Sequence, residues 1–285
     1  MTTADAGQPT TAIRTMPNAD LRTVQQFGQE WKAFDQTEMA ETEKAELFEQ
    51  YFSLLDFSRR PGRVLDFGCG SGRWAQMVAP RVGELVAADA SAAALQVARK
   101  NVRAGNVRFI QATPDDLPYP DGYFDLIFSL GVLHHVPDTA AAIRSLEKKL
   151  RPGGTLLLYL YYGLENRPDW YRALWRASDL VRRGIRRLPF PLRRAVCEAI
   201  AVCVYWPLAR LAQCFPVPAS WPLRFYAGRS FYTMRTDALD RFGTRLEKRF
   251  TRAEIEARLA AAGLVNVVFR ESEPYWVCKA VKASS

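Results

Sequence analysis

The chain has 285 residues, of which 48% are hydrophobic and 24% charged, a balance that permits a substantial core and excludes disorder for most of its length. Its formal net charge is +9, which makes nucleic acid, an anionic membrane and an acidic substrate the partner classes to weigh. Cys69, Cys197, Cys203, Cys214 and Cys278 are scattered and odd in number, with no C-x-x-C pair, so neither a disulfide framework nor a zinc site is indicated.

Residues 1–20 are small and polar without an apolar segment. They exclude a secretory signal and read as a flexible tail of a cytoplasmic protein. Residues 21–60 include FGQEWKAFDQ and KAELFEQYFSLLDF, whose apolar side chains recur at helical spacing. A helical lid is expected there.

Residues 61–162 alternate short apolar runs with amphipathic stretches, the pattern of βα units around a parallel sheet. Strands are expected near Arg63–Phe67, Glu84–Asp89, Val107–Gln111, Phe124–Leu130 and Thr155–Leu160. The first strand runs into VLDFGCGSGRW, Val64 to Trp74, where a glycine turn at a helix N-terminus brings bare backbone N–H groups to a ligand. Gly68, Gly70 and Gly72 are one residue too tight for the dinucleotide pattern G-x-G-x-x-G. The second strand ends in Asp89, placed to accept both hydroxyls of a ribose, and the next helix starts at a Ser91 N-cap. Then comes QATPDDLPYPDGYFDLIFSLGVLHHV, with polar residues at one strand end, a turn, and a strand ending in a histidine pair.

Residues 163–243 are rich in Arg, Trp and Pro, and six prolines are expected to cut them into short segments of an inserted cap. Nine arginines stand against Asp169 and Asp179 between Arg167 and Arg194. The apolar run Ala195–Ala209 is closed by Pro207 and Arg210 short of the roughly 20 residues a membrane span needs. Packing on the protein's own core is the first expectation for it, and weak contact with a membrane surface the second. In residues 244–285, TRAEIEARLAAAGL offers a capping box at Thr251 and Glu254. VNVVFRES and PYWVCKAVK follow as an antiparallel hairpin.

VLDFGCGSGRW, AADAS, DLPYPDGYFDLIFSLGVLHHV and LRPGG together resemble the successive motifs of class I S-adenosylmethionine-dependent methyltransferases, over about residues 63–160. The resemblance implies an α/β, Rossmann-like, mostly parallel sheet with a C-terminal antiparallel hairpin, an N-terminal helical lid and an inserted helical cap. It implies S-adenosylmethionine as cofactor, with Asp66, Gly68 and Gly70 shaping the methionine pocket, Asp89 on the ribose, and Cys69, Ala90 and Leu130 beside them. Many relatives carry an Asp where this chain has Thr113, followed by Pro114, so adenine recognition falls to Thr113 with Asp115 or Asp116. Further motifs, FGQEW, YLYYGLENRPDWYRALW and SFYTMRTDALDRFGTRLEKRF, resemble a bacterial methyltransferase subfamily of unassigned substrate.

Methyl transfer from a sulfonium is an in-line displacement, so the protein's task is to align the reactants and exclude water. Phe27, Trp31, Tyr161 and Tyr162 are candidates for an aromatic surround. For a hydroxyl acceptor a base is required, and the only histidines, His134 and His135, adjoin at a strand end, where alternation should turn one of them, His134 by preference, to the site. Asn166 and Arg167 beyond the fifth strand, and Tyr232 and Arg235 in a cluster with Asp237, Asp240 and Arg241, are candidate acceptor contacts or a network fastening cap to core. The expected partner is a small-molecule methyl acceptor, methylated on O, N or C. A quinone or lipid acceptor reached from a membrane surface is the alternative. Nucleic acid has net charge as its sole support, and no appended RNA-binding motif accompanies it.

Overall fold

The computed structural model describes residues 16–284; the expected flexible tail falls mostly outside them. Asn18 is held at its near end, accepting from the Asp138 amide at 2.7 Å and donating to the Asp138 carbonyl at 2.8 Å.

The β-branched and apolar runs form β1 (Arg63–Phe67), β2 (Glu84–Asp89), β3 (Val107–Gln111), β4 (Phe124–Leu130) and β5 (Leu150–Tyr159), all parallel, followed by β6 (Leu264–Phe269) and β7 (Val277–Lys282). The strand order is β3-β2-β1-β4-β5-β7-β6, with β7 antiparallel to both β5 and β6. This is the Rossmann-like sheet with an antiparallel hairpin that the sequence implies. Because the order reverses between β1 and β4, their carboxyl ends diverge and leave a crevice, the usual ligand position in such sheets.

β5 starts five residues before the expected Thr155. Leu150 already pairs with Phe124, the register then slips, and Thr155 pairs with Leu126. Pro152-Gly153-Gly154, which precede the expected strand start, are accommodated as an irregularity inside the strand, where Pro and Gly are tolerated.

One face of the sheet packs against α1 (Leu21–Ala33), α2 (Glu41–Phe52), α3 (Arg73–Val78) and α4 (Ala92–Asn101). The other carries α5 (Thr139–Lys149) and α10 (Arg252–Ala261), between which come the cap helices introduced below. Local chemistry fixes the helix starts. Asp20 accepts from the Thr23 amide, Ser91 from Ala94, and Asp138 from Ala141. Thr251 and Glu254 form the expected capping box on α10.

The inserted segment supplies α6 (Asp169–Ile185), α7 (Phe190–Ile200), α8 (Trp206–Cys214) and α9 (Phe231–Gly243). Pro216, Pro218 and Pro222 lie in the break between α8 and α9 as expected, but Pro191 and Pro207 do not cut the segment. Pro189 and Pro191 sit at the start of α7, where the missing N–H costs nothing. Ahead of Pro207 a π turn over Ala201–Tyr205, closed by the Trp206 amide on the Ala201 carbonyl, absorbs the irregularity. The result is one continuous helix from Phe190 to Cys214, 25 residues long. Among the described residues it is the one helix long and apolar enough to cross a membrane, yet 22% of its apolar stretch is buried in the protein. The expectation that Pro207 and Arg210 close the run is therefore corrected.

Phe128 of β4 is fully buried and meets the Phe52 ring edge-on at 5.2 Å, clamping α2 to the sheet centre. Phe128→Ala should cost about 3–5 kcal/mol, read as a lower urea midpoint at unchanged m-value; a loss below 1 kcal/mol would show that α2 is not clamped there.

Candidate functional site

β1 delivers the glycine turn to the crevice. The Gly68 and Cys69 amides donate to the Ala88 carbonyl at 2.8 and 3.0 Å, stitching the turn to β2. Gly68 has φ +82° and a Cβ there would lie 2.3 Å from Val132, so only glycine is accommodated. Asp89 closes β2 and faces this turn. Its carboxylate accepts from the Gly70 amide at 3.0 Å and from the Ser91 amide at 2.7 Å. Burial raises its pKa while those two amides oppose the rise.

Beneath the turn, Asp66 is buried with one carboxylate oxygen, Oδ2, lacking any hydrogen bond among the described residues. Burial, and then the nearby Asp89, hold its pKa well above the ordinary range. An unpartnered buried oxygen is costly, and an ammonium group placed above the turn would relieve it. Burial likewise pushes the Cys69 thiol up. Farther along the crevice, the Thr113 hydroxyl donates to Asp116 at 2.9 Å, and the Ser145 hydroxyl of α5 donates to Asp115. Ala90 follows Asp89 and accepts from the Gln111 amide at 3.0 Å.

The glycine turn, Asp66, Asp89 and Thr113–Asp116 therefore line one side of the sheet's switch point, and their chemistry fits an adenosyl amino acid. Over this side lies α1. A Cβ on Gly70 would meet the Trp31 indole at 2.8 Å, and one on Gly28 would meet Ser91 Oγ at 2.7 Å. The lid is thus closed on the turn.

On the other side, a cavity of about 650 Å³ opens at the carboxyl ends of β4 and β5. Leu130, Gly131, Tyr159 and Tyr161 come from the sheet, Phe27 and Trp31 from the lid, and Tyr171, Trp175, Tyr205 and Tyr226 from the cap. Tyr162 and Arg167 also line it. Arg167 is engaged there, donating to the Tyr162 hydroxyl at 3.1 Å and to Glu273.

Four carboxylates line this aromatic enclosure: Glu273, which is paired with Arg167, and Glu30, Asp237 and Asp240. Burial lifts Asp237 to about 6, against a 2.8 Å hydrogen bond from the Tyr226 hydroxyl. Burial, then Asp240 and Asp237, lift Glu30 well above its usual value. Asp240 accepts from the Tyr161 hydroxyl and, at 3.1 Å, from Thr244 Oγ1. Positive charge balances them: Arg73 lies over the Trp74 ring at 4.1 Å, and Arg249 over Trp175 at 4.9 Å while pairing with Glu247.

His134 and His135 are not on a strand. β4 ends at Leu130, and both lie in a 3₁₀ turn over Leu133–His135, so strand alternation does not orient them. His134 is fully buried, stacks on Tyr161 at 3.8 Å, and has neither ring nitrogen hydrogen-bonded among the described residues. Burial holds its pKa well below 6.5, leaving it neutral. His135 bonds through Nδ1 to the Leu246 carbonyl at 2.6 Å and holds Nε2 3.9 Å from Asp240. Neither lines the cavity.

Three other candidates also stand away from it. Tyr232 accepts from the Gln36 amide at 2.8 Å, Arg235 pairs with Glu198 at 2.6 Å, and Asn166 is exposed. The first two join α9 to the lid connection and to α7. Sequence reasoning did not single out Glu30, Arg73, Tyr226 or Arg249. Arg73 was within reach, since it directly follows the G-x-G-x-G turn; the others depend on how the cap folds back.

A family model described as "Methyltransferase domain" matches residues 65–158. Two ubiquinone/menaquinone biosynthesis C-methyltransferases are similar to part of the chain: one from Stutzerimonas stutzeri, 38% identical over 39% of this chain and 46% of its own length, and one from Vibrio vulnificus, 41% identical over 38% and 44%. The similarity thus spans less than half of either relative. An S-adenosylmethionine-dependent methyltransferase from Mesorhizobium loti shares the fold, with a TM-score of 0.50 and 17% identity over 82% of this chain and 97% of its own.

The raised pKa of Asp237 has a signed consequence for stability. The contribution it makes is complete below the unfolded value near 3.8 and is lost as pH rises through about 6. Asp237→Asn should therefore remove a decline of about 2–3 kcal/mol between pH 4 and 7, seen as denaturation midpoints that converge at low pH and favour the variant at neutral pH. Parallel pH profiles would contradict the burial of that charge.

Proposed function

We propose, from the premise that residues 65–158 are a class I S-adenosylmethionine-dependent methyltransferase domain of Rossmann-like fold, that the chain transfers a methyl group to an O, N or C nucleophile of a small-molecule acceptor. The observation that carries the reading is the adjacency of the glycine turn with Asp89 to an aromatic-lined cavity at the same switch point. S-adenosylmethionine, when bound, supplies an electrophilic methyl carbon on a sulfonium.

The chain's own residues do the rest. Asp89 and the Gly68–Gly70 backbone hold the ribose side, Asp66 takes the amino group through its unpartnered oxygen, and Thr113–Asp116 border the base. Cys69, Ala90 and Leu130 shape the walls between these positions. Trp31, Tyr159 and Tyr161 surround the reacting centre with aromatic faces that favour a cation and exclude water. Asp237, ionised at neutral pH and lining the cavity, is the base for an acceptor that must lose a proton. His134 and His135 act one shell behind it, backing Tyr161 and Asp240. Amine or carboxylate acceptors need no base.

Among acceptors, a quinone or similar flat lipid-borne ring is favoured by the density of aromatic side chains in the cavity, in keeping with the C-methyltransferase names of the relatives.

Isothermal titration with S-adenosylhomocysteine tests the cofactor assignment. Asp89→Ala should weaken binding at least tenfold, the loss of charge-assisted contacts worth about 1.5–3 kcal/mol; absence of binding to the parent chain at millimolar ligand would sink the reading. With an acceptor found by labelled-methyl screening, kcat/KM should rise with pH through about 6. Asp237→Asn should lower it by roughly 10²–10⁴-fold and flatten the profile. An unchanged acidic limb would remove Asp237 from the chemistry.

A further inference from the structure

The helix from Phe190 to Cys214 has two unlike sides. Cys197, Ala201, Tyr205 and Ala209, four residues apart, are buried; α9 packs along α7 and the π turn, and the Arg224–Tyr226 turn packs against α8. The opposite side faces outward and is apolar: Val202 and Trp206 are about half exposed, at 53% and 47%. No charged residue interrupts the sequence between Glu198 and Arg210. Ten of the thirteen large apolar side chains exposed among the described residues lie between Trp170 and Phe215. Patches of this kind mark interaction surfaces.

Two further observations say what covers this one. First, the patch is continuous with the cavity mouth. Leu174 and Val181 of α6 and Val204 of the long helix line the cavity and are also exposed, at 51%, 55% and 43%. The opening therefore lies between two helices whose rims are apolar. Second, the flanks are basic. Arg176 and Arg187 are exposed and form no ion pair among the described residues, and Arg172 and Arg183 stand on the same helix. Long arginine side chains beside an apolar face suit the boundary between acyl chains and anionic headgroups.

The buried side rules out a span. A helix of 25 residues is about 37 Å long, long enough to cross, but one side is committed to α9 and the Arg224–Tyr226 turn. Lipid cannot surround it.

We propose that the α6 and Phe190–Cys214 face of the cap docks in the plane of an anionic bilayer, with the cavity mouth opening into the acyl layer. A lipid-borne acceptor then slides sideways into the site without crossing water. The docking stands on the surface alone; the delivery of acceptor rests on the methyl-transfer reading above.

Flotation of the full chain with vesicles tests it. The protein should float with vesicles of phosphatidylcholine containing 30% phosphatidylglycerol, and raising NaCl from 0.1 to 0.5 M should lessen the bound fraction severalfold. Trp206→Asp and Val202→Asp, both on the exposed side, should weaken binding tenfold or more while thermal unfolding and S-adenosylhomocysteine binding stay as in the parent chain. Arg176→Glu, which leaves the apolar side intact, should weaken it severalfold and abolish the salt dependence in part. Failure to float with anionic vesicles, or flotation unaffected by all three substitutions, overturns the proposal. So does a dimer in solution that Trp206→Asp dissociates without any vesicle binding, because a second copy then covers the face. Since flotation requires neither cofactor nor turnover, its failure leaves the methyl-transfer reading standing, and loss of cofactor binding leaves the docking standing.

Discussion

The bond between the Gly70 amide and the Asp89 carboxylate ties the end of β1 to the end of β2 beside the sheet's switch point. A second amide, from Ser91, holds the other oxygen of the same carboxylate and starts α4. One side chain thereby sets the height of the glycine turn, the direction of the next helix and the polarity of the crevice between them. The turn in turn forms the seat on which Trp31 rests, so the lid's position follows from that carboxylate as well. Because Asp66 lies beneath with an unpartnered oxygen, the whole corner concentrates negative charge where a positively charged ligand group would complete it.

The acceptor side is built on the opposite principle. Here buried charges are numerous, and Asp237, Asp240 and Glu247 are held by side-chain hydroxyls or guanidinium groups instead of amides. Tyr161 on Asp240, Tyr226 on Asp237, and Arg249 between Tyr161 and Trp175 make one connected wall. Such networks are stable only when every member is satisfied, which links the cap's fold to the electrostatics of the cavity. Removing a phenol there exposes a carboxylate, and removing a guanidinium leaves two rings without a partner.

How much of this was legible in the sequence follows from the range of the forces involved. β1 to β4, the Ser91 cap and the Thr251–Glu254 box depend on residues a few positions apart, and pattern alone located them. Pro and Gly at 152–154 put the expected start of β5 at Thr155 because their preferences are local, whereas pairing of Leu150 with Phe124 is a tertiary contact. The histidine pair looked like the end of a strand because LIFSLGVLHH is one apolar run; Gly131, with φ +77°, breaks it before Val132. The aromatic residues around the site were found from motif position for Phe27, Trp31, Tyr161 and Tyr162. Tyr226, Glu30 and Arg249 reach it only through the return of the cap, for which neither periodicity nor motif gives a signal. Tyr232 and Arg235 share a cluster with Asp237 and Asp240 in sequence, but they stand on other sides of α9.

The π turn at Ala201–Tyr205 has a geometric effect on the cap. In a regular α-helix four residues advance about 400°, so side chains spaced by four creep about 40° around the axis at each step. Over Cys197, Ala201, Tyr205 and Ala209 that creep would carry the last residue about 120° off the buried side. The wider winding of the π turn subtracts rotation midway and keeps all four in a straight row. A chain one residue shorter at this turn would run from Cys197 to Ala209 in regular steps of about 100° and leave Ala209 on the same side, so the turn is what lets the helix carry an extra residue while the outward row of Val202, Trp206 and Leu211 keeps its direction.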